Sequence, residues 1–414
     1  MSAEQVATPR VVLGVGAGIA AYKTCELLRL LVESQHEVRV VPTTEALRFV
    51  GEPTWAALSG QPVTSDVWSQ VHDVPHVRLG QTADLLVVAP ATADLLARAA
   101  HGIADDLLTN TLLTARCPVL LAPAMHTEMW ENAATQENVA KLRNRGVFVL
   151  DPAVGRLTGA DTGRGRMPEP EALVAVAQGL LRRGSGAVDL SGRHVLVTAG
   201  GTREAIDPVR YLGNRSSGRQ GYALASTAVA RGARVSLVAA NSELSVPAGV
   251  EVVHVESALE MRAAVWSALD TDTVDAVVMA AAVADFRPST NAAGKIKKSG
   301  TEPAPITLTE NPDILSELTR KRSEAARSSP VIAGFAAETD DVLTNGRKKL
   351  ANKGCDFLVV NEVGQGRAFG TTDNQAVILQ PDGASWPVAR GPKEDLAAQL
   401  WDLISTRLEA TQSS

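Results

Sequence analysis

The stretch VLVTAGGTREAIDPVRYLGNRSSGRQG, residues 195–221, begins as an apolar strand, passes through a long polar loop and runs into a helix. Gly200 and Gly201 remove side chains where the backbone must approach another group closely. A helix that begins near Gly218 presents unpaired N–H groups and the positive end of its dipole to an anion. The length of the loop, and two arginines beside hydroxyl side chains, Arg210 and Arg215, favour a phosphate-binding connection over ordinary strand-to-helix packing.

On either side of this stretch, apolar runs alternate with amphipathic ones, and two sets of strands can be recognised. In the first half, strands are predicted over 11–15, 37–41, 84–90, 118–122 and 147–150. In the second half, they are predicted over 195–198, 234–238, 250–254, 276–280, 331–335, 356–360 and 375–379. Helices are predicted near 19–34, 92–100, 133–145, 171–182, 218–231, 259–268, 312–321, 341–353 and 393–408.

This alternation is typical of parallel sheets covered by helices on both faces. Between the two sets, residues 182–192 lose the helical periodicity and are rich in Gly and Ser, as linkers are. We therefore predict an α/β fold of two Rossmann-like parallel-sheet domains in tandem, over residues 1–184 and 191–414, with a linker at 185–190.

Composition agrees with two soluble domains. The 414 residues exceed what one hydrophobic core usually serves. Forty basic and 46 acidic residues give a formal charge of −6, which argues against nucleic acid or an anionic membrane as the partner. The three cysteines, Cys25, Cys117 and Cys355, are far apart and have no metal-like spacing. With no signal-peptide pattern and no membrane-length apolar run, we expect a cytoplasmic protein.

A Gly-rich turn follows the first strand of each half, so a dinucleotide site has to be considered. Such a site requires Asp or Glu at the end of the second strand. Here that strand is followed by Thr43 and Thr44 in the first half and by Ala240 and Asn241 in the second. An NAD(P) site is therefore disfavoured. In the first half, GVGAGIAAYK (14–23), these hydroxyls and APATAD (89–94) together suit the phosphate of a mononucleotide.

Longer motifs carry a family resemblance over residues 10–408. GVGAGIAAYK (14–23), VPHVRLG (74–80), APATADLLARAAHGIADDLLTN (89–110) and PAMHTEMW (123–130) resemble flavin-dependent cysteine decarboxylases. TAGGTREAIDPVRYLGNRSSG (198–218), AAAVADFRP (280–288), GKIKK (294–298), NPDI (311–314) and GFAAET (334–339) resemble phosphopantothenoylcysteine synthetase, a CTP-dependent ligase. In this order the chain is similar to the bifunctional bacterial coenzyme A biosynthesis family. The resemblance implies a flavodoxin-like decarboxylase domain followed by a ligase domain.

For the first half, the resemblance implies FMN as cofactor and His76 as the catalytic histidine. FMN would oxidise the cysteine thiol, so that the thiocarbonyl can accept the electrons released with CO₂. His126 stands where the family usually has a carboxylate-binding Asn, and it can still donate a hydrogen bond. In GRLTGADTGRGRM (155–167), Gly159 replaces the family's proton-donating Cys, which leaves Thr158, Asp161 or a water as the donor. The implied cofactor-binding residues are Gly16, Gly18, Ile19, Thr43, Pro90, Ala91, Thr92 and Met125.

For the second half, the resemblance implies that CTP activates the carboxylate of 4′-phosphopantothenate as an acyl-cytidylate, which the amine of L-cysteine then attacks. No Walker lysine motif is present, so separate lysines must offset the triphosphate charge. Asp285 is the expected Mg²⁺ ligand, because a hard carboxylate oxygen suits that ion. Asn214 is expected to contact the acyl-cytidylate, and Lys295 to act in its formation. The implied CTP-binding residues are Met279, Ala280, Ala281, Asp285, Lys295, Asn311, Pro312, Asp313, Ile314, Phe335, Lys349 and Lys353.

The family resemblance also implies a homo-oligomer, a dodecamer in which decarboxylase trimers are linked by ligase dimers. Two other interpretations remain open at this point. One is a ligase whose flavin-binding first half is regulatory and not catalytic, which the changes at His126 and Gly159 keep in view. The other is a two-domain NAD(P)-dependent oxidoreductase, against which the missing ribose-binding acids count.

Overall fold

The structure of the chain, a computed structural model, describes residues 8–63, 74–157, 161–183, 188–297, 305–325, 329–338, 341–362 and 373–412. Two compact units divide it. The first comprises residues 1–191 with 229–232 and 247–249, and the second comprises the rest of 192–414.

The first unit is an open α/β sheet with a hairpin. Its elements are β1 Arg10–Val15, α1 Ala21–Glu33, β2 Glu37–Pro42, α2 Glu52–Ser59, α3 Pro75–Thr82, β3 Leu85–Ala91, α4 Ala93–His101, α5 Leu107–Thr114, β4 Val119–Pro123, α6 Thr127–Glu131, α7 Ala133–Asn144, β5 Phe148–Val149, β6 Ala153–Arg156, β7 Thr162–Arg166 and α8 Pro170–Arg183. The strand order is β2-β1-β3-β4-β5, with parallel pairing throughout, and β6 pairs with β7 as an antiparallel hairpin.

The second unit has a larger sheet. Its elements are β8 His194–Gly200, β9 Arg203–Asp207, β10 Arg210–Gly213, α9 Arg219–Val229, β11 Arg234–Ala240, β12 Val250–Val255, α10 Ala258–Thr271, β13 Ala276–Met279, β14 Phe286–Pro288, β15 Leu308–Glu310, α11 Ile314–Glu324, β16 Val331–Glu338, α12 Val342–Lys353, β17 Phe357–Glu362, β18 Asp373–Leu379, β19 Ser385–Pro392 and α13 Lys393–Gln412. The strand order is β12-β11-β8-β13-β16-β17-β18-β19, in which the pairs β17–β18 and β18–β19 are antiparallel.

Burial explains why these segments form central strands. Every residue of β3 and of β8 is buried, as expected of strands covered on both faces. On α1 the buried residues recur at helical spacing, with Leu27, Leu28 and Leu31 facing the sheet. The prediction of two tandem α/β domains is confirmed.

Three short hairpins were not predicted. Residues 203–213, read as part of a long loop, form the pair β9–β10, and β6–β7 and β14–β15 are hairpins as well. The last strand, β19, was also missed. Its sequence SWPVARGP contains Pro387 and Gly391, which are poor strand formers and are tolerated at the edge of a sheet, where β19 lies.

Candidate active sites

In the first unit, a cavity of about 420 Å³ lies beyond the carboxyl ends of β1, β3 and β4. Ligands of open α/β sheets usually bind at this edge. The cavity is lined by Gly18, Ile19, Ala20, Tyr22, Lys23, Pro90, Ala124, Met125, His126, Arg156, Leu157, Gly165, Arg166 and Met167.

The Gly-rich turn reaches this cavity because its backbone lies against β3. Gly16 N–H donates to the carbonyl of Pro90 at 3.1 Å, and a Cβ at Gly16 would lie 2.4 Å from that oxygen. No other residue fits there without moving β3. The turn therefore brings Gly18 and Ile19 to the cavity, where Pro90 also lies.

The hairpin β6–β7 closes one side of the cavity through similarly close contacts. Met125 N–H donates to the Gly165 carbonyl at 2.9 Å, and a Cβ at Gly165 would lie 2.1 Å from the Met125 carbonyl oxygen. A Cβ at Gly163 would lie 2.2 Å from Oγ1 of Thr127. The glycines of the predicted flap thus let the hairpin lie on the segment that carries His126. Of the two side chains expected as proton donors, Thr158 lies outside the described residues, as does Gly159. Asp161 is described just before β7, and its backbone carbonyl accepts from Leu157 N–H at 2.8 Å.

Five of the predicted residues line the cavity, and the others have different positions. Gly18, Ile19, Pro90, Met125 and His126 lie on its wall. The Thr43 hydroxyl accepts from Ala46 N–H at 3.2 Å, and the Thr92 hydroxyl accepts from Leu95 N–H at 3.2 Å as the N-cap of α4. Gly16 and Ala91 lie beside this wall without being part of it.

His76 lies on α3 and is not among the lining residues of this cavity. Its backbone carbonyl accepts from the Thr114 hydroxyl at 2.7 Å, which fixes α3 against α5. Its Nδ1 atom is buried, and it has no hydrogen-bond partner in the part of the chain that the structure describes. A buried polar atom without a partner is rare in native structures and needs an explanation, such as a water, a ligand or a catalytic role.

Sequence reasoning missed three cations at the first cavity. Lys23, Arg156 and Arg166 all line it. Glu169 holds two of them, accepting from Lys23 at 3.0 Å and from Arg166 at 2.5 Å. Lys23 could have been predicted, because it is the last residue of the Gly-rich motif GVGAGIAAYK. The three cations make the cavity suitable for an anionic ligand.

In the second unit, two adjoining cavities of about 770 and 480 Å³ lie at the carboxyl edge of the parallel strands. We call them the larger and the smaller cavity. The residues shared by both walls are Ala281, Val283, Asp285, Leu315, Phe335 and Lys353. Two ligands bound side by side would therefore meet near Asp285 and Lys353.

The loop after β13 is fixed to the loop after β8. Ala281 N–H donates to the Thr198 hydroxyl at 3.1 Å, Ala282 N–H to the Gly200 carbonyl at 2.8 Å, and Ala284 N–H to the Thr202 hydroxyl at 2.9 Å. These bonds hold the exposed side chain of Asp285 at the junction of the cavities.

The smaller cavity brings together nine predicted nucleotide-binding residues, namely Met279, Ala281, Asp285, Asn311, Pro312, Asp313, Ile314, Phe335 and Lys353. Asn311 is held in place because its Nδ2 donates to the Ala284 carbonyl at 2.8 Å and its Oδ1 accepts from Arg287 at 3.0 Å. Asp313 caps α11 and pairs with Lys353. Partial burial alone would raise the pKa of Asp313, but hydrogen bonds from Lys353 and Ser316 hold it below its ordinary value.

The larger cavity contains Asn214, Ala280 and Lys349. Asn214 Nδ2 donates to the Val283 carbonyl at 3.1 Å, and Lys349 pairs with Glu338 at 2.6 Å. Gly218, with φ of +79°, ends the loop immediately before α9, and residues 218–221 line the wall. The opening motif therefore presents the start of a helix to a cavity, as the sequence predicted.

Lys295 is the predicted residue that lies apart, since it lines neither cavity among the described residues. Its loop is held to the β9–β10 hairpin, where Ile296 N–H donates to Asp207 at 3.2 Å and Arg210 donates to the Ile296 carbonyl at 3.2 Å. The residues that follow, 298–304, are outside the described part of the chain. The role of Lys295 stays a prediction.

A magnesium site would have to be built mainly by the ligand. Within the described residues, no group of three His, Cys, Asp or Glu side chains lies close enough together to hold a metal ion. Mg²⁺ is commonly bound by one or two carboxylates together with substrate phosphates and water. The single carboxylate of Asp285 at the junction fits that arrangement.

Among the residues of the larger cavity that were not predicted, four form one connected group. Gln220, Asn361, Asn374 and Lys393 come from α9, β17, β18 and the start of α13. Of these four residues, Asn361 could have been predicted from the sequence. It lies near the end of the strand FLVVNE, and ligands of α/β sheets bind at the carboxyl ends of the strands.

Comparison with known protein families assigns both halves. The Flavoprotein family matches residues 2–182, and the DNA/pantothenate metabolism flavoprotein C-terminal domain matches residues 190–408. Together they define a flavoprotein joined to a pantothenate-metabolism domain.

Relatives that match nearly the full length of the chain identify a particular family within this class. The chain is 56% identical over 411 residues to the coenzyme A biosynthesis bifunctional protein CoaBC of Mycobacterium tuberculosis, covering 98% of each chain. It is 42% identical over 387 residues to the protein of the same name from Vibrio parahaemolyticus, covering 92% of this chain and 94% of that one. A crystal structure of the C-terminal domain of a CoaBC protein is 34% identical and covers 54% of this chain and all of that one, with a TM-score of 0.45.

The chain belongs to the family of coenzyme A biosynthesis bifunctional proteins. It is a bifunctional enzyme of coenzyme A biosynthesis with a flavin-dependent decarboxylase half and a ligase half, so these predictions are confirmed. The NAD(P)-dependent alternative receives no support from the matches. In the described ranges, no helix has both the length and the apolar character needed to cross a membrane.

Proposed function

We propose that the ligase half uses CTP and Mg²⁺ to activate the carboxylate of 4′-phosphopantothenate as an acyl-cytidylate, which L-cysteine then attacks. The observation that carries this proposal is the pair of adjoining cavities with a common wall at Asp285 and Lys353. A nucleotide in the smaller cavity and an acid in the larger one would place a carboxylate beside the α-phosphate. Such placement lowers the barrier by removing the entropy cost of bringing two reactants together.

The charges at the junction fit this reaction. Asp285 would hold Mg²⁺ on the phosphates, and Lys353 would offset their charge once a ligand competes with Asp313 for it. Lys349 and Lys295 are assigned to the triphosphate, and Asn214 to the acyl-cytidylate. The test is release of pyrophosphate that requires CTP and 4′-phosphopantothenate together. A preparation that forms amide product with ATP but not with CTP would contradict the nucleotide assignment.

For the decarboxylase half, we propose that the flavin is FMN and that its reaction is decarboxylation of phosphopantothenoylcysteine to 4′-phosphopantetheine. Thr43, rather than an acid, follows β2, and three cations line the cavity, which suits a mononucleotide and an anionic substrate. The flavin, when bound, would oxidise the thiol so that the adjacent carboxylate can leave. His126 would donate to the substrate carboxylate, and the hairpin β6–β7 would exclude water.

His76 is proposed as the catalytic histidine, and its position has a consequence for assembly. Ile19 and Tyr22, beside the cavity, are 65% and 62% exposed, and the Nδ1 atom of His76 lacks a partner among described residues. We propose that a second subunit covers this surface and brings its own histidine to the cavity, in trimers that ligase dimers link into a dodecamer. Light scattering tests this, and a monomer at micromolar concentration would exclude it. Purified protein should also be yellow and release FMN on denaturation.

A further inference from the structure

Four of the unpredicted residues of the larger cavity form a chain of hydrogen bonds with a fixed direction. Gln220 Nε2 donates to the Lys393 carbonyl at 3.1 Å. Asn374 Nδ2 donates to Gln220 Oε1 at 3.0 Å and to Asn361 Oδ1 at 3.1 Å. Asn374 Oδ1 in turn accepts from Gln375 N–H at 3.0 Å. We call these residues the amide chain.

The direction follows from the backbone groups at its ends, because an amide side chain can in general be turned either way. The Lys393 carbonyl can only accept, so Gln220 must turn its NH₂ to it and its oxygen to Asn374. The Gln375 N–H can only donate, so Asn374 must give it the oxygen and use its NH₂ elsewhere. Asn361 is then left to accept through Oδ1. Its own NH₂ group therefore points away from the chain.

The NH₂ group of Asn361 has no partner within the described residues, and Asn361 lines the larger cavity. The amide chain is well placed to be rigid, since Asn374 is 5% and Lys393 7% exposed. An amide side chain whose oxygen is held on one side presents only its NH₂ donors on the other. The orientation is thus fixed before any ligand arrives.

The surroundings of Asn361 select the ligand group. The N-terminal turn of α9, residues 219–221, and Lys393 line the same cavity, and all of these supply donors or positive charge. Among the described lining residues Asp285 is the only carboxylate, and it lies on the wall shared with the smaller cavity. The end of the larger cavity near Asn361 therefore favours a group that only accepts hydrogen bonds and carries negative charge.

We infer that Asn361 is a specificity-determining residue of the ligase reaction, whose NH₂ group donates to a phosphate oxygen of a bound substrate. This rests on the proposed function, in which the larger cavity takes the phosphorylated acid, and the triphosphate of a nucleotide in the adjoining smaller cavity reaches Lys349 across the shared wall. Either substrate carries phosphate. Asn374 is the positioning residue, because it holds the Asn361 amide in the donating orientation.

The experiment compares three variants of the full chain, Asn361→Ala, Asn361→Asp and Asn374→Ala, with Gln399→Ala as control. Gln399 is an exposed amide residue on α13. KM values for 4′-phosphopantothenate and for CTP are measured separately by pyrophosphate release. Loss of a charge-assisted hydrogen bond should raise one KM about tenfold in Asn361→Ala. Asn361→Asp should raise it further by repulsion, and Asn374→Ala less, with kcat little changed.

The substrate whose KM rises identifies the source of the phosphate, and either result supports the contact. Unchanged KM values for both substrates in Asn361→Ala would overturn it. An unchanged or lower KM in Asn361→Asp would also overturn it. A carboxylate repels a phosphate, so it could replace the amide only if the bound group were a hydrogen-bond donor. Decarboxylase activity and the unfolding midpoint show that each variant is folded. Wild-type protein that releases no pyrophosphate would instead contradict the proposed function, and Asn361 would then be tested by direct binding of each substrate.

Discussion

The cavities of the two units differ in how much of a site one chain assembles. In the second unit, nine predicted nucleotide-binding residues line a single cavity. They come from the end of β13 and the loop after it, the segment from the end of β15 to the start of α11, the strand β16 and the end of α12. In the first unit, five predicted residues line the cavity while His76 lies elsewhere, on α3. The comparison teaches that the loops at one edge of a sheet bring most of a predicted nucleotide site together within one unit, with Lys295 apart from it. The proposed role of His76 therefore requires a second surface that brings a histidine to the cavity.

The largest expected effect is the loss of decarboxylase activity, without loss of ligase activity, when His76 is replaced. Replacing His76 by Asn should lower the rate of CO₂ release by about 10²–10⁴-fold, the usual contribution of a general acid or base. Flavin absorbance and pyrophosphate release should remain at wild-type levels. His101→Asn, which changes an exposed histidine at the end of α4, is the matched control. Undiminished CO₂ release from the His76 variant would remove this residue from the mechanism.

The next effect compares the glycines on which the two cavities depend. A Cβ at Gly200 would lie 1.8 Å from the Ala240 carbonyl oxygen, and its φ of +85° disfavours other residues. Gly200→Ala should lower the free energy of unfolding by about 2–4 kcal/mol, because both strain and overpacking contribute. Gly16→Ala has the close contact without the positive φ, so it should cost less. Gly294→Ala, with no atom within 4 Å of the new Cβ, serves as the control in urea unfolding. An equal loss from all three variants would contradict this account.

Some elements of the fold can be predicted from the sequence, and others cannot. The alternation of strands and helices and the glycine at 200 follow from local rules, because burial on both faces and close backbone approach leave clear patterns. The hairpin β6–β7 cannot be predicted in this way. The sequence of its strand Thr162–Arg166, TGRGR, lacks the alternating apolar residues of a strand.

The residues at the sites divide in the same way. Asn311 directly follows β15, and Asp285 lies in the loop between β13 and β14. Both lie within motifs that carry the family resemblance, so the resemblance reaches them. Asn374 and Lys393 become part of a cavity wall only because β18 and α13 return to the start of α9. That proximity spans 154 and 173 residues of sequence, and no local pattern encodes it.

A smaller effect on activity is expected from Lys295, which lies outside both cavities, and from Asn214, which lies in the larger one, because they are assigned to different ligase steps. Lys295→Gln should lower pyrophosphate release at least about tenfold, since a charge-assisted contact contributes roughly 1.5–3 kcal/mol. Asn214→Asp, in contrast, should still release some pyrophosphate and accumulate the acyl-cytidylate, because Asn214 is assigned to that intermediate. Quenched-flow chromatography of the nucleotide products distinguishes the two. If both variants stop before the cytidylate forms, the division of roles is wrong.

The smallest effect concerns Asp207, which connects the Lys295 loop to the β9–β10 hairpin. Its carboxylate accepts from Arg210 at 2.5 Å and from the N–H groups of Val209 and Ile296 at 2.9 and 3.2 Å. The hydrogen bond from Arg210 is the main reason that the pKa of Asp207 lies well below its ordinary value of 3.8. A lowered pKa means that the folded state prefers the ionised form. The resulting stability is present above the ordinary pKa and is lost as the pH falls towards the folded-state pKa.

Asp207→Asn should therefore be less stable than wild type at pH 7, and the difference should shrink as the pH is lowered below about 4, where the unfolded carboxyl becomes protonated. Urea unfolding of the second unit between pH 7 and pH 3 measures this. Asp270→Asn, whose side chain is 72% exposed, should give a nearly constant difference from wild type over the same range. A gap between Asp207→Asn and wild type that stays constant down to pH 3 would mean that the ionised carboxylate does not hold this loop. The Lys295 loop would then depend on its backbone contacts, such as the one between Ala292 N–H and the Ile206 carbonyl at 3.2 Å.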